Sequence, residues 1–127
     1  MDHIKSFVNG LDQATLSNIP IFPQPGAVLF PGAIMAIKLY EPRYMQMAEH
    51  VLAGNQILCV SRQDSQTKTK QSRSNIHRVS GLGVIVQHKA LGDGTFHILV
   101  QGLTRIKILK LIQPDQTNLY PRVFAQV

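Results

Sequence analysis

The side chains that could act as nucleophiles lie apart from any base that could activate them. The single cysteine, Cys59, stands between Leu58 and Val60 in an apolar run, which favours a buried structural role over a reactive thiolate. The serines of the central region have loop or turn surroundings and no nucleophile-elbow pattern: Ser61, Ser65, Ser72, Ser74 and Ser80. A hydrolase needs a nucleophile, a base and an orienting group, so the sequence predicts no catalytic residue and no enzyme activity.

The histidines do not form a metal-binding pattern. His88 and His97 flank Asp93-Gly94, a dipeptide typical of a two-residue type I′ turn between two strands. Such a turn places both histidines on one sheet face as solvent-facing neighbours, where a zinc site would still lack its third protein ligand. Gly81-x-Gly83 and Gly92-x-Gly94 do not lead from a strand into a helix, as a phosphate-binding loop must. We therefore expect no metal and no cofactor.

The excess of positive charge permits an anionic partner without establishing one. Thirteen Lys and Arg residues against seven Asp and Glu give a formal net charge of +6. A phosphate-contacting face would draw on Arg62, Lys68, Lys70, Arg73, Arg78, Lys107 and Lys110. No aromatic residue is interleaved with the basic run to stack on bases, so a solvated surface is favoured over RNA binding.

Length and composition indicate one globular domain. The chain has 127 residues, of which 44% are hydrophobic and 16% charged, which excludes a largely disordered chain. One cysteine excludes an internal disulfide framework and fits a reducing compartment. No apolar run approaches the roughly 20 residues that span a bilayer, and residues 1–10 do not resemble a secretory signal. We expect a cytoplasmic domain without a membrane partner.

The first part of the chain alternates between turn signals and short apolar runs. Residues 1–18 are predicted to form an N-terminal arm or short helix, because Ile4, Phe7, Val8 and Leu11 share one helical face. Proline in Ile19–Pro23 predicts a strand at a sheet edge. Pro25-Gly26 and Pro31-Gly32 mark turns around an apolar segment, and Ala33–Tyr40 reads as a strand.

One helix is predicted from local signals at both of its ends. Glu41-Pro42 is typical of a helix start and Gly54 of a stop, which places the helix at about residues 42–53. One face carries Tyr44, Met47, Ala48, Val51 and Leu52. Arg43 lies in the first turn, where the helix dipole disfavours a cation, so we expect it to pair with Glu41 or a backbone carbonyl.

The rest of the chain is rich in β patterns. Gln56–Ser61 reads as a strand, and the polar stretch Gln63–Ser74 as a mobile surface loop. Val79–Leu91 and Thr95–Leu103 should form a hairpin, and Arg122–Val127 a last strand. The pattern predicts a mainly β, mostly antiparallel domain with one inserted α-helix, closed or partly closed as a barrel.

Several ordered motifs resemble the Lon protease N-terminal (substrate-binding) domain family. They are Ile19-Pro20-Ile21-Phe22-Pro23, Leu29-Phe30-Pro31-Gly32, Leu39-Tyr40-Glu41-Pro42-Arg43-Tyr44, Gly81-Leu82-Gly83-Val84-Ile85, Gln101-Gly102-Leu103-Thr104-Arg105 and Tyr120-Pro121-Arg122-Val123. The resemblance covers residues 19–127 as one β domain. It implies a PUA-like pseudo-barrel that recognises protein segments and performs no catalysis. ATPase and protease regions are absent, which predicts a stand-alone or truncated member, and residues 1–18 have no counterpart in the family.

The resemblance also implies a binding surface and partners. A peptide-binding site is predicted at Leu29, Phe30, Met35 and Tyr40, for which plain core packing is the alternative. The partners implied are unfolded or partly folded protein segments with exposed apolar residues. The alternative is an RNA-binding PUA-like module using the basic surface, and a purely structural role in a larger assembly is a third reading.

Self-association is predicted at the C-terminal end of the β domain. The helical segment that follows the β part in the family is missing after Val127. The Val123–Val127 strand would then present an unpaired edge beside apolar residues, namely Ile106, Ile108, Leu109 and Leu111. This predicts a homodimer through the C-terminal edge, unless residues 1–18 fold back as a cover.

Overall fold

Six strands and two helices make up the part of the chain that the structure describes. The computed structural model describes Val8, residues 10–63 and residues 79–127. The elements in chain order are α1 (Gln13–Leu16), β1 (Ile19–Pro25), β2 (Ile34–Leu39), α2 (Pro42–Ala53), β3 (Ile57–Gln63), β4 (Val79–Ala90), β5 (Phe96–Ile112) and β6 (Arg122–Gln126). The predicted loop at Gln63–Ser74 falls outside the described residues beyond Gln63. No described helix has the length and hydropathy needed to cross a membrane.

The long strand β5 closes the sheet into a barrel. The strand order is β2-β5-β4-β3-β1-β6, and β6 pairs again with β5. Of the 17 residues of β5, the first part pairs with β2 and the last part with β6, while β4 runs along most of its other side. All pairs are antiparallel except β1–β3. The predicted mainly β pseudo-barrel with an inserted helix is confirmed.

Strand β1 lies inside the sheet, so the prediction of an edge strand is wrong. It pairs with β6 at Ile19 and Pro20 and with β3 from Ile21 onward. The Ile21 N–H donates to Pro121 O at 3.1 Å, on the side away from β3. Pro23 lies two residues after Ile21, so its backbone faces the same side. The position of its missing N–H is beyond the last residue of β1 that pairs with β6. Strands β3 and β6 therefore each pair with β1 at positions where the N–H that proline lacks is not needed.

The β4–β5 hairpin has a three-residue loop, so the predicted two-residue type I′ turn is wrong. Leu91 N–H donates to Thr95 O at 2.9 Å, and Gly94 N–H donates to Leu91 O at 3.4 Å. Gly94 has φ +87°, whereas Asp93 is not among the described residues with positive φ. This is a β-turn followed by a left-handed glycine, the usual three-residue hairpin. Asp93 Oδ1 instead accepts hydrogen bonds from Thr95 N and Oγ1.

The extra loop residue moves the two histidines apart. His97 pairs with Lys89, and His88 pairs with Ile98. Paired residues share a face and neighbours alternate, so His88 and His97 lie on opposite faces and the predicted same-face arrangement is wrong. His88 stacks on Phe96, with ring centroids 5.7 Å apart.

Helix α2 forms between the predicted boundaries and covers one side of the sheet. Glu41 is the N-cap, Pro42 occupies the first turn, and Gly54 is the C-cap. The helix buries Tyr44, Met47, Ala48 and Val51. They join a first hydrophobic cluster with sheet residues that include Ile37, Leu39, Leu58, Val60, Ile98 and Val100.

A second hydrophobic cluster fills the other face of the sheet. Successive β3 residues alternate between the two clusters: Leu58 and Val60 in the first, Ile57 and Cys59 in the second. The second cluster also contains Ile19, Ile21, Leu82, Leu103, Ile106, Ile108, Val123 and Ala125. Val8, Leu11 and Leu16 from the N-terminal segment pack against it. Ile4 and Phe7, the other residues of the predicted amphipathic face, lie outside the described residues.

The C-terminal strand pairs with β5 along its length and with β1 at Arg122 and Val123, so the predicted free edge is closed at Val123. Val123 pairs with Ile19 of β1 and with Leu111 of β5. Ile106 and Ile108 are buried, whereas Leu109 is the bulged residue between paired positions and is exposed. The homodimer through this edge stays a prediction.

The segment between β1 and β2 crosses the sheet over glycines. A Cβ on Gly81 would lie 2.5 Å from Leu29 O, and one on Gly102 would overlap Phe30 O. Gly83 leaves room for the Leu29 side chain, whose Cδ2 would lie 2.9 Å from an added Cβ. Leu29 is consequently held in the core with 2% exposure. The glycines of β4 and β5 thus allow one loop to lie directly on the sheet.

Candidate functional site

The four residues predicted to bind peptides do not lie together on one surface. Leu29 is a core residue, and Met35 is half-buried against the first cluster. Phe30 is 53% exposed on the crossing segment, and Tyr40 is 69% exposed between β2 and α2. Of the four, Tyr40 lines two grooves of the described surface.

The first groove separates the end of β1 from β2 and has a volume of about 510 Å³. One wall is formed by Phe22–Pro25, and the other by β2 residues Ala36, Lys38 and Leu39 followed by Tyr40. Phe22 and Tyr44 meet edge to face, with ring centroids 4.7 Å apart. Burial raises the pKa of Tyr44, so its phenol stays neutral at physiological pH. The groove therefore has an aromatic pair on one side and a strand on the other.

Arg43 and Glu41 occupy the end of the first groove. Arg43 Nη2 lies 3.0 Å from Glu41 Oε2, and the guanidinium carbon lies 4.8 Å from the centroid of the Tyr44 ring. The predicted Arg43–Glu41 pair is thus confirmed. Both side chains are about half exposed, so the pair contributes little to stability and remains available to a ligand.

The second groove lies between α2 and the β4–β5 hairpin and has a volume of about 680 Å³. Its walls are largely apolar and come from Met45, Ala48 and Leu52 of the helix and Phe96 of β5, with Gln46 and Glu49 among the polar residues. Tyr40 and Pro42 close the end nearest β2. Sequence reasoning missed Met45, whose apolar side chain falls outside the helical stripe assigned to the core.

Gln46 fixes the helix wall of the second groove to the connection between β5 and β6. Leu119 N–H donates to Gln46 Oε1 at 2.8 Å, and Gln46 Nε2 donates to Thr117 O at 3.3 Å. One turn later, His50 Nδ1 lies 2.7 Å from Tyr120 Oη. The helix is therefore held by polar contacts as well as by its buried face, which gives the groove a fixed shape.

The potential nucleophiles lie away from both grooves. Cys59 is fully buried in β3, and burial raises its pKa to about 12, which keeps the thiol protonated. Ser61 and Ser80 are buried in β3 and β4, within the predicted strands, so the loop or turn surroundings assigned to them are wrong. Ser65, Ser72 and Ser74 lie outside the described residues. Within the described part of the chain, no three His, Cys, Asp or Glu residues are grouped to hold a metal ion.

Comparison with known proteins identifies the family. A sequence model of the ATP-dependent protease La (LON) substrate-binding domain matches residues 18–126. The chain belongs to this family. The resemblance seen in the sequence motifs is therefore confirmed, and the Lon match covers both grooves and every strand.

Relatives of the Lon family are much longer than this chain. The Lon protease of Desulfosudis oleivorans is 23% identical over 108 residues, which are 84% of this chain and 13% of that protein. The Lon protease of Cytophaga hutchinsonii is 28% identical over 99 residues, 78% of this chain and 12% of that protein. The chain thus spans about an eighth of the length of these relatives.

Solved Lon structures share the fold. The Lon N-terminal domain protein from Xanthomonas campestris has a TM-score of 0.69 at 15% identity, covering 87% of this chain and 59% of that one. The N-terminal domain of a Mycobacterium avium complex Lon protease has a TM-score of 0.65 at 14% identity, covering 87% and 54%. At these identities the likeness concerns the fold.

Proposed function

We propose that this domain recognises protein substrates by binding their exposed apolar segments at the surface around Tyr40, without performing catalysis itself. The observation that carries the proposal is the apolar second groove, with the largely exposed Tyr40 ring at its end. Membership of the Lon substrate-binding domain family supports the same reading. We define the Tyr40 surface as Tyr40 together with the two grooves that it borders.

The dimensions and chemistry of the second groove suit side chains of an unfolded protein. A volume of about 680 Å³ lies within the range of ligand-binding clefts, roughly 300–1,000 Å³. Met45 is flexible and polarizable, so it adapts to apolar groups of different shape. Tyr40 and Phe96 add aromatic area, which is enriched at protein-binding surfaces. Such a groove accepts many apolar segments without requiring one sequence.

The other predicted residues define how far the binding surface extends. Phe30 is exposed on the crossing segment, outside the lining of both grooves. Met35 is half-buried, and its neighbour across the ladder is Val100. We propose Tyr40 as the central residue and treat Phe30 as a separate contact to be tested. Leu29 supports the surface from the core.

Binding of a permanently unfolded protein tests the proposal. The probe is fluorescein-labelled α-lactalbumin, reduced and carboxymethylated, and the readout is fluorescence anisotropy. Tyr40→Ser and Met45→Gln should each weaken binding at least about fivefold, which corresponds to about 1 kcal/mol. Leu109→Ser removes an apolar residue that is 50% exposed on β5 and should change Kd less than about twofold. Phe30→Ser shows whether the surface reaches the crossing segment.

Salt dependence separates protein recognition from RNA binding. Apolar binding should persist when salt is raised from about 50 to 500 mM, because burial of apolar surface does not depend on counterion release. Binding of a single-stranded RNA probe that falls steeply over the same range, with no binding of the unfolded protein, would support the RNA alternative instead. Equal affinity of the wild type and Tyr40→Ser for the unfolded protein would contradict the proposed surface.

A further inference from the structure

Strand β2 has an open edge along the first groove. Among the described strands, β2 pairs with β5 only, through Ile34–Leu39. Its other edge faces the gap that separates it from β1, and Ala36 and Lys38 line that gap. An unpaired strand edge presents backbone donors and acceptors that another strand can use.

The register shows which backbone groups point into the groove. Gly102 N–H donates to Ala33 O at 2.8 Å, so the Ala33 carbonyl points towards β5. Backbone groups alternate in direction along a strand, so those of Met35, Ile37 and Leu39 also point towards β5. Those of Ala36 and Lys38 point the opposite way. Ile34, Ala36 and Lys38 therefore have outward-facing N–H and C=O groups, and of these Ala36 and Lys38 line the groove.

The opposite wall of the groove lacks backbone donors at its prolines. Because Ile21 N–H points away from β3, the backbone of Pro23 and Pro25 faces the same side, where neither residue has an N–H. On β2, a strand that enters the groove can use both the N–H and the C=O groups of the outward-facing residues. On β1, the N–H groups are missing at the prolines. The prolines also explain why β1 and β2 do not pair with each other, although they face one another across the gap.

We propose that β2 binds an extended segment of a protein substrate by strand addition, with apolar and acidic residues alternating along that segment. This inference rests on the proposed function and assigns the backbone-binding mode of the Tyr40 surface. The occupant is a segment of another protein in extended conformation, held by main-chain hydrogen bonds to Ala36 and Lys38. Alternate side chains supply the specificity, as in other strand-addition complexes.

The two faces of β2 set the alternation. Ile37 and Leu39 point into the core, beside the groove whose lining includes Phe22 and Tyr44, so inward side chains of an added strand meet this aromatic pair. Lys38 points outward with His97 and Lys89 in register across β5 and β4, which makes a row of basic groups on the outer face. Outward side chains of an added strand lie next to this row, where carboxylates are complementary in charge.

A backbone-modified peptide tests strand addition directly. The probe is a labelled peptide of about eight residues in which glutamate alternates with leucine. Two versions carry N-methyl groups, one on every leucine and one on every glutamate. In an extended strand, alternate residues direct their N–H groups towards the same edge, so only the leucines or only the glutamates can donate to β2. One methylated version should therefore lose at least about tenfold in affinity and the other less than about threefold. Which version loses affinity reports whether the added strand is antiparallel or parallel.

Charge and hydrogen exchange provide the second readout. Lys38→Glu should weaken binding of the unmethylated peptide at least about fivefold, and Lys107→Glu, the same change on an exposed residue of β5, less than about twofold. The amides of Ala36 and Lys38 should exchange quickly in the free chain and slowly with peptide bound. Those of Ile37 and Leu39 should be protected in both states, because they pair with β5.

The failures of the two proposals are distinguishable. If both methylated peptides bind as well as the parent peptide, strand addition is wrong, while recognition of the unfolded protein through Tyr40 stands. If the Ala36 and Lys38 amides are already protected in the free chain, the edge is occupied by another segment or by a second copy, and strand addition is overturned. If neither peptide nor unfolded protein binds, the proposed function itself is wrong.

Discussion

Burial determines the chemistry of Cys59. Its thiol lies in the second hydrophobic cluster, and burial raises its pKa from 9.0 to about 12, partly opposed by a hydrogen bond with Ser80. The folded chain therefore holds this proton more tightly than the unfolded chain. Stability that this group contributes below pH 9 is lost as the pH rises towards 12.

The Cys59→Ala variant isolates this pH dependence. Wild-type stability should fall above pH 9 more steeply than that of Cys59→Ala, by up to about 1.4 kcal/mol per pH unit. The variant should be less stable at pH 7, because the methyl group fills the site less well. Urea unfolding at several pH values between 7 and 10 measures both effects. Parallel slopes for the two proteins would contradict the assignment, since Tyr44 and Tyr120 titrate in both.

Strands β4 and β5 have glycines at the positions where the segment between β1 and β2 crosses them. Gly102→Ala would place a methyl group against the Phe30 carbonyl oxygen, so the segment or β5 must shift. We expect a loss of about 1–3 kcal/mol in the free energy of unfolding. Gly92→Ala is the matched control, because nothing lies within 4 Å of the added carbon and the residue has no positive φ. Equal urea midpoints for the two variants would show that the segment does not contact β5 as described.

The elements that sequence predicts best are those specified by their own residues. Glu41-Pro42 and Gly54 set the ends of α2 locally, and both ends were correct. The hairpin loop differed by one residue, because Gly92-Asp93-Gly94 fits two turn geometries and the strand register selects one of them. Gln56, with φ +65°, gave no signal at all. Its conformation lets its N–H reach Val51 O and its C=O accept from Ile85, which only the assembled sheet requires.

The candidate site was predictable only in part for the same reason. Tyr40 was predicted as an apolar residue near a turn, a local feature, and the structure places it exposed between β2 and α2. The sequence prediction placed Leu29 on the binding surface, whereas the structure buries it. The prediction missed this because the glycines that make room for Leu29 in the core lie more than fifty residues away in the sequence. The open edge of β2 depends on which strands pair and which prolines face the gap, so it follows from topology. Met45 lines a groove because the β4–β5 hairpin lies beside α2, and this arrangement cannot be read from the helix sequence.

Closure of the whole barrel depends on β6. Val123 is fully buried and pairs with both β1 and β5, whereas Val127 is 57% exposed after the end of the strand. Val123→Ala should lower the free energy of unfolding by about 2 kcal/mol, because two buried methyl groups are removed from the closing strand. Val127→Ala should change it by less than about 0.5 kcal/mol. Thermal or urea unfolding of the two variants measures the difference; similar losses would place the closure elsewhere.

The pairing of Ile19 with Val123 also determines how the domain is attached to any flanking polypeptide. Because β1 and β6 are antiparallel, the chain enters β1 and leaves β6 at the same end of the barrel. Segments on either side of these two strands would therefore approach the barrel from the same end. Tension between those two segments would pass through the short β1–β6 contact and bypass α2 and the Tyr40 surface.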